Sequence, residues 1–242
     1  VKPGAKAALV ARALADLRAV SDPARREKTQ GYFPTAMEIL GVSAPRMRAV
    51  LRPLSRDLRD EPPAVVMAVA HALIDSGVHE ARQVAFELVG GRADVMASLD
   101  LRQIEALGRG NDNWASVDCF GVTVAGPAWR KGRVGDADVH RWSRGPDPWW
   151  RRTAAVSTVA LNLKSRGGTG DAARTLAVCR LLVADPHPLV RKGLSWALRS
   201  LVGVDADGVR AFLATHGDTL PALVRREVTH KLETGLKSGR GR

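Results

Sequence analysis

Apolar residues along this chain recur at three- and four-residue intervals, the period of an α-helix, and few stretches alternate with period two. Gly, Pro and Asp punctuate the periodic segments. The pattern predicts helices over 5–20, 45–58, 63–76, 79–89, 101–108, 113–125, 148–163, 171–184, 187–202, 206–215 and 220–236. Ser43-Ala-Pro45 and Asp147-Pro148 place a capping side chain ahead of a proline, which suits the first turn of a helix. The expected class is all-α.

A longer period lies on top of the helical one. Four segments join a basic or polar pair to apolar positions at helical spacing: Ala81-Arg82-Gln83-Val84-Ala85, Trp150-Arg151-Arg152-Thr153-Ala154, Val190-Arg191-Lys192-Gly193-Leu194 and Val224-Arg225-Arg226-Glu227-Val228. Arg82 and Arg151 are 69 positions apart, Arg151 and Arg191 are 40, and Arg191 and Arg225 are 34. The first gap is double, so a further repeat belongs inside it, and Trp114-Ala115-Ser116-Val117-Asp118 falls into the frame there. Periods of this length predict a HEAT-like helical-repeat solenoid, a curved superhelix of antiparallel helix pairs. Its basic pairs would lie near one edge of a concave surface.

Charge then narrows the partner. The net charge is +12 and the isoelectric point about 10.7, an excess that points to a polyanion, with nucleic acid first. The charge is spread along the chain, as on a folded basic surface; only 237–242 reads as a short basic tail beyond a single domain over 1–236. Hydrophobic residues make up 45% of the chain, enough for a core, and no apolar run approaches the roughly 20 residues that span a bilayer. Residues 1–20 read as an amphipathic helix, not a signal peptide. The two cysteines, Cys119 and Cys179, form no paired motif, which fits a reducing cytoplasm. No Cys/His ligand spacing and no phosphate-binding glycine motif is present, so neither metal nor nucleotide cofactor is expected.

The repeat frame makes Asp118 stand out. Its equivalents are Ala85, Ala154, Leu194 and Val228, all apolar, and a carboxylate at such a position is costly unless it is bonded, paired or functional. Trp114 is four residues earlier and shares its helix face. Two readings are open at this point: a structural carboxylate that caps a helix or pairs with an arginine, and a carboxylate placed beside an indole to meet a cation.

N-W-A-S-V-D (113–118), W-W-R-R-T-A-A-V (149–156) and H-P-L-V-R-K-G-L-S-W-A-L-R (187–199) resemble, in order and spacing, the core segments of the AlkD family of HEAT-like repeat alkylpurine DNA glycosylases. Y-F-P-T-A-M-E-I-L-G-V-S-A-P-R-M-R (32–48) resembles the family's N-terminal region. The resemblance implies a base excision repair enzyme. It would bind duplex DNA and hydrolyse the N-glycosidic bond of cationic N3- or N7-alkylated purines, without a cofactor and without swinging the damaged base into a pocket. By the same resemblance the catalytic carboxylate is Asp118, the site tryptophans are Trp114 and Trp196, and the site arginine is Arg152, with Arg151 as the alternative. Tyr32 and Arg48 would touch DNA, and Arg151, Arg191, Lys192, Arg225 and Arg226 would line the groove. The chain departs from the pattern in the Gly-rich stretch 166–170 and at Ala44, which stands where a polar residue is common. The implied protein acts on double-stranded DNA as a monomer in the cytoplasm, at the nucleoid, and off the membrane. A non-catalytic repeat scaffold for nucleic acid or an acidic protein accounts for the charge and the repeat equally well, but not for Asp118 beside Trp114. A metal-dependent nuclease is disfavoured, since no carboxylate or His cluster is visible.

Overall fold

The computed structural model describes residues 3–236, which fold as an all-helical repeat protein. Among these residues the sole β feature is an isolated parallel bridge between Glu38 and Val78. The basic tail expected at 237–242 lies outside them. The chain divides into two compact units, with the boundary between Phe120 and Gly121.

The first unit holds α1 (Pro3–Ala19), α2 (Pro23–Gln30), α3 (Ala44–Asp57), α4 (Pro63–Asp75), α5 (His79–Gly90), α6 (Ala93–Ser98), α7 (Leu101–Gly108) and α8 (Trp114–Phe120). A three-residue connection folds α4 back on α5, and α1 and α3 pack across this hairpin. Leu17, Leu54, Leu73, Ala85 and Phe86 are fully or almost fully buried in the core. Phe86 of α5 meets Phe120 of α8 with ring centroids 5.3 Å apart.

The second unit begins with a π-helical turn (Gly121–Ala125). There follow α9 (Gly126–Arg130), α10 (Asp136–Arg144), α11 (Pro148–Ser157), α12 (Val159–Asn162), α13 (Ala172–Leu182), α14 (Pro188–Leu201), α15 (Ala206–His216) and α16 (Ala222–Thr234). Here α14 packs against α11, α13 and α16. The frame positions Ala85, Ala154, Leu194 and Val228 are all fully buried, as an apolar repeat requires.

Helix starts follow local chemistry. Asp147 accepts the Trp149 N–H at 2.8 Å ahead of Pro148, and Asp100 and Gln103 form a reciprocal capping box. Ser43 differs from expectation: its side chain makes no cap bond, and its carbonyl takes the Met47 N–H instead. The segment 113–125 is not one α-helix, because it widens to a π turn after Phe120. That turn leads to Gly126, which packs where a side chain could not: a Cβ there would lie 2.5 Å from the Ser157 carbonyl oxygen. The segment 148–163 is interrupted at Thr158, whose hydroxyl donates back to the Ala155 carbonyl at 2.7 Å, a competition that breaks or bends helices. The helices α2, α6, α9 and α10 have no counterpart in the apolar pattern. No described helix is long and apolar enough to cross a membrane.

Candidate functional site

The site in the first unit is built around the start of α8. Asn113 is fully buried, and its side-chain oxygen accepts the Ser116 N–H at 2.9 Å, which caps the helix that carries Trp114 and Asp118. Asp118 is half-buried, and the four-residue spacing puts it on the same face of α8 as Trp114. The Trp114 ring meets Tyr32 edge-on at 5.4 Å and Phe33 at 5.6 Å, so Tyr32, expected beside the site, is brought to Trp114. Tyr32 is 71% exposed.

Two carboxylates that the sequence reading passed over hold the loop bearing these rings. Asp112 accepts the Thr35 hydroxyl and the Ala36 N–H, both at 2.6 Å. Burial pushes the Asp112 carboxyl up, but bonds from Thr35, Ala36 and Asn113 outweigh it and hold the group below the ordinary carboxylate value. Glu80 is buried at the start of α5 and accepts three consecutive backbone N–H groups, from Leu40 at 3.0 Å, Gly41 at 2.7 Å and Val42 at 3.1 Å. Gly41 is required here twice over. Its φ is +79°, and a Cβ would lie 2.4 Å from the Asp22 carbonyl oxygen, under the start of α2.

His79 completes the support. Its Nε2 lies 2.7 Å from the Gln83 amide nitrogen and its Nδ1 3.2 Å from the Ser116 hydroxyl. An amide nitrogen only donates, so Nε2 accepts and the ring proton belongs on Nδ1. Burial lowers the His79 pKa; Glu80 and Asp112 raise it and Arg82 lowers it, and the net shift is downward, toward the neutral ring. Nothing in the sequence marked Glu80, Asp112 or His79, since single polar residues at helix starts are ordinary. Arg48 on α3 is exposed and lies 3.8 Å from Glu87.

In the second unit the two adjacent arginines separate. Arg151 is spent internally: its Nε meets Asp185 at 2.6 Å, and its Nη1 donates to the carbonyls of Gly145 at 3.0 Å and Pro146 at 2.8 Å. Arg152 is buried and donates to the Leu189 carbonyl. Trp196 on α14 is half-buried against Val122, Val156 and Val159. Arg191 donates to the Asp185 carbonyl at 2.8 Å, whereas Lys192, Arg225 and Arg226 are exposed.

Trp114, Asp118 and Tyr32 thus belong to the first unit, and Arg152 and Trp196 to the second. In the solved structures the fold matches a predicted DNA alkylation repair enzyme from Enterococcus faecalis. The TM-score is 0.72 at 16% identity, over 88% of this chain and 97% of that one. No curated protein sequence matches the chain. The family model described as DNA alkylation repair enzyme matches residues 13–232, nearly the full length, so this chain belongs to the DNA alkylation repair enzyme family.

Proposed function

We propose that this chain is a DNA glycosylase of base excision repair. It hydrolyses the N-glycosidic bond of cationic N3- or N7-alkylated purines in duplex DNA, acting as a monomer. The observation that carries the reading is the pairing of Asp118 with Trp114 on one face of α8, at a frame position that is buried and apolar in four other segments. Family membership supports the repair context.

An alkylated purine carries positive charge and leaves without strong protonation. As the bond from C1′ to the purine nitrogen breaks, its electron pair stays with the base and neutralises it, and positive charge grows on the sugar. A carboxylate fixed beside the deoxyribose stabilises that charge. Water then adds to C1′, and its proton passes to Asp118 or to solvent. Trp114, on the helix face of Asp118, offers a ring face to the cationic nucleotide, worth about 0.5–2 kcal/mol. Of the two arginines, Arg152 is the one proposed for a phosphate near the lesion by its place in the motif; it is itself buried and donates to the Leu189 carbonyl, while Arg151 pairs with Asp185. Lys192, Arg225, Arg226 and Arg48 are proposed to contact the DNA backbone.

The test is single-turnover release of 7-methylguanine from methylated duplex DNA in EDTA. Asp118→Asn should retain DNA binding and its melting temperature while release slows by roughly a hundredfold or more. A folded Asn variant with full activity removes Asp118 from the mechanism. Binding without any release from the native chain supports a scaffold instead.

A further inference from the structure

The Gly-rich stretch 166–170, where the chain departs from the family pattern, folds back on the end of α12. The Arg166 and Gly168 N–H groups donate to the Leu163 carbonyl at 2.9 and 3.0 Å, and the Gly170 N–H donates to the Leu161 carbonyl at 2.9 Å. This path needs glycine: Gly167 has a φ of +75°, and a Cβ on Gly168 would lie 2.5 Å from the Leu161 carbonyl oxygen. Arg130, at the end of α9, donates to the carbonyls of Ala160 and Arg166 and holds the loop from behind. Buried Asn162 accepts the Asp171 N–H at 3.0 Å and clamps the exit. The loop is thus tied down along its backbone, while Lys164 and Arg166 stand exposed on it.

Lys131 and Arg133, in the turn directly after Arg130, are exposed too. None of these four cationic side chains has a hydrogen bond or ion pair among the described residues. The acids that follow the two segments, Asp136 and Asp171, both pair with Arg174, at 2.8 and 3.6 Å. At its base the loop joins the face that carries Trp196, because Leu163, Trp196, Arg199 and Lys231 line one recess of about 140 Å³. Typical small-molecule sites start at roughly 300 Å³, so the recess seats no base. The glycine N–H groups are spent on carbonyls of the loop and of α12, so they form no cradle for a single phosphate. Exposed, unpaired cations outside any pocket suit a repeating polyanion that touches the surface.

We propose that the loop 164–170 and the turn 131–133 make a second contact with the DNA backbone, with Lys131, Arg133, Lys164 and Arg166 on phosphates that flank the lesion. The basic pairs of the repeat frame stand near the N-terminal ends of α11, α14 and α16; this patch stands beyond the C-terminal end of α12. The loop therefore lengthens the tract of backbone that the chain holds. The inference rests on the DNA-binding reading and is independent of the chemistry at Asp118.

The test is a salt titration of duplex binding by the full chain and two double variants, Lys164→Ala with Arg166→Ala and Lys131→Ala with Arg133→Ala. Each lost phosphate contact should lower the slope of log affinity against log salt by about 0.9 and weaken binding roughly five- to tenfold in 0.1 M salt. The melting temperatures should not change, since the four side chains are exposed and unpartnered. Single-turnover base release in saturating DNA should also stay at the native rate. A second readout needs no variant. Acetylation of the free chain and of its saturated DNA complex, mapped by peptide mass spectrometry, should show Lys131 and Lys164 protected in the complex.

Native affinity and salt slope in both variants, or equal acetylation of Lys131 and Lys164 in the free and bound chain, overturn the proposal. Release that slows in saturating DNA while affinity stays native also overturns it. Base release by the native chain with salt slopes unmoved in the variants leaves the glycosylase reading standing and removes this one. Lower slopes in the variants of a chain that releases no base do the reverse. Failure of the native chain to bind the duplex overturns both.

Discussion

Replacing Glu80 measures how far the loop under the aromatic wall depends on one buried carboxylate. Glu80 takes the N–H groups of Leu40, Gly41 and Val42, the last two on one oxygen and the first on the other. Glu80→Ala leaves three buried donors without an acceptor. Each unsatisfied donor costs about 1–3 kcal/mol, so the variant should lose on the order of 3–9 kcal/mol, the lower end applying if water enters. Glu80→Gln is the finer test. Its remaining oxygen can keep Gly41 and Val42, but its NH₂ then faces the Leu40 N–H, donor against donor. The cost should be about 1–3 kcal/mol and should fall mainly on Leu40. Urea denaturation gives the free energies, and amide hydrogen exchange locates them. Faster exchange is expected at Leu40, Gly41 and Val42 in the alanine variant and chiefly at Leu40 in the glutamine variant. An alanine variant that loses less than about 1 kcal/mol, with these amides still protected, would refute the reasoning.

Acid should loosen the same region. The Asp112 carboxyl is held below its ordinary value, so its contribution is complete above that value and is lost as the pH falls through the lower folded pKa. His79 is depressed as well: the unfolded chain takes up its proton first, and stability is lost once the pH falls below the ordinary imidazole range. His79→Gln should flatten the upper part of a plot of melting temperature against pH, and Asp112→Asn the lower part; parallel curves for all three chains would exclude both assignments. The basic residues should divide by burial. Arg151→Ala leaves Asp185, whose side chain is 4% exposed, without a charge partner and with only the His187 N–H as a donor, and should cost about 3–5 kcal/mol. Lys192→Ala, Arg225→Ala and Arg226→Ala should leave the melting temperature alone and lower the salt dependence of DNA binding by about one unit of slope each. Equal effects from the two sets on folding would contradict the burial seen here.

The periodic helices were legible because they bury a stripe of large apolar side chains, and the Asp147-Pro148 start marked the first turn of α11. The helix α2 was not, because Pro-Ala-Arg-Arg-Glu-Lys-Thr-Gln has no apolar stripe. Asp22-Pro23 nevertheless carried the same start signal as Asp147-Pro148, and Asp22 does accept the Arg25 N–H at 3.0 Å. The π turn after Phe120 was not legible, since it answers to a close approach at Gly126 that involves Ser157 and Ala160, 31 and 34 positions later. At the candidate site the reading reached Trp114, Asp118 and Tyr32, which motif and frame single out. It missed Glu80 and Asp112, because their partners are backbone N–H groups and a hydroxyl in a loop some 40 and 77 residues earlier. It also placed Arg151, Arg191, Lys192, Arg225 and Arg226 alike in the groove. Internal bonding, which sequence spacing does not reveal, separates Arg151 and Arg191 from the exposed Lys192, Arg225 and Arg226.

The inward-turned arginines change how each unit should come apart. Arg82 on α5 donates to the Arg109 carbonyl at 2.8 Å and to Asn111 at 3.2 Å, in the connection that precedes α8. Arg151 on α11 and Arg191 on α14 both bond to Asp185, in the connection between α13 and α14. Arg82 and Arg151 thus tie a helix to a turn of the next repeat, and Arg191 closes the turn that leads into its own helix. In a nearest-neighbour description of an array, such ties enter the coupling between units of structure, not the stability of any one of them. Removing them should broaden the unfolding transition as well as lower it, because adjacent repeats would then melt with less regard for one another. Such arginines cement the array with donors that then cannot serve a phosphate.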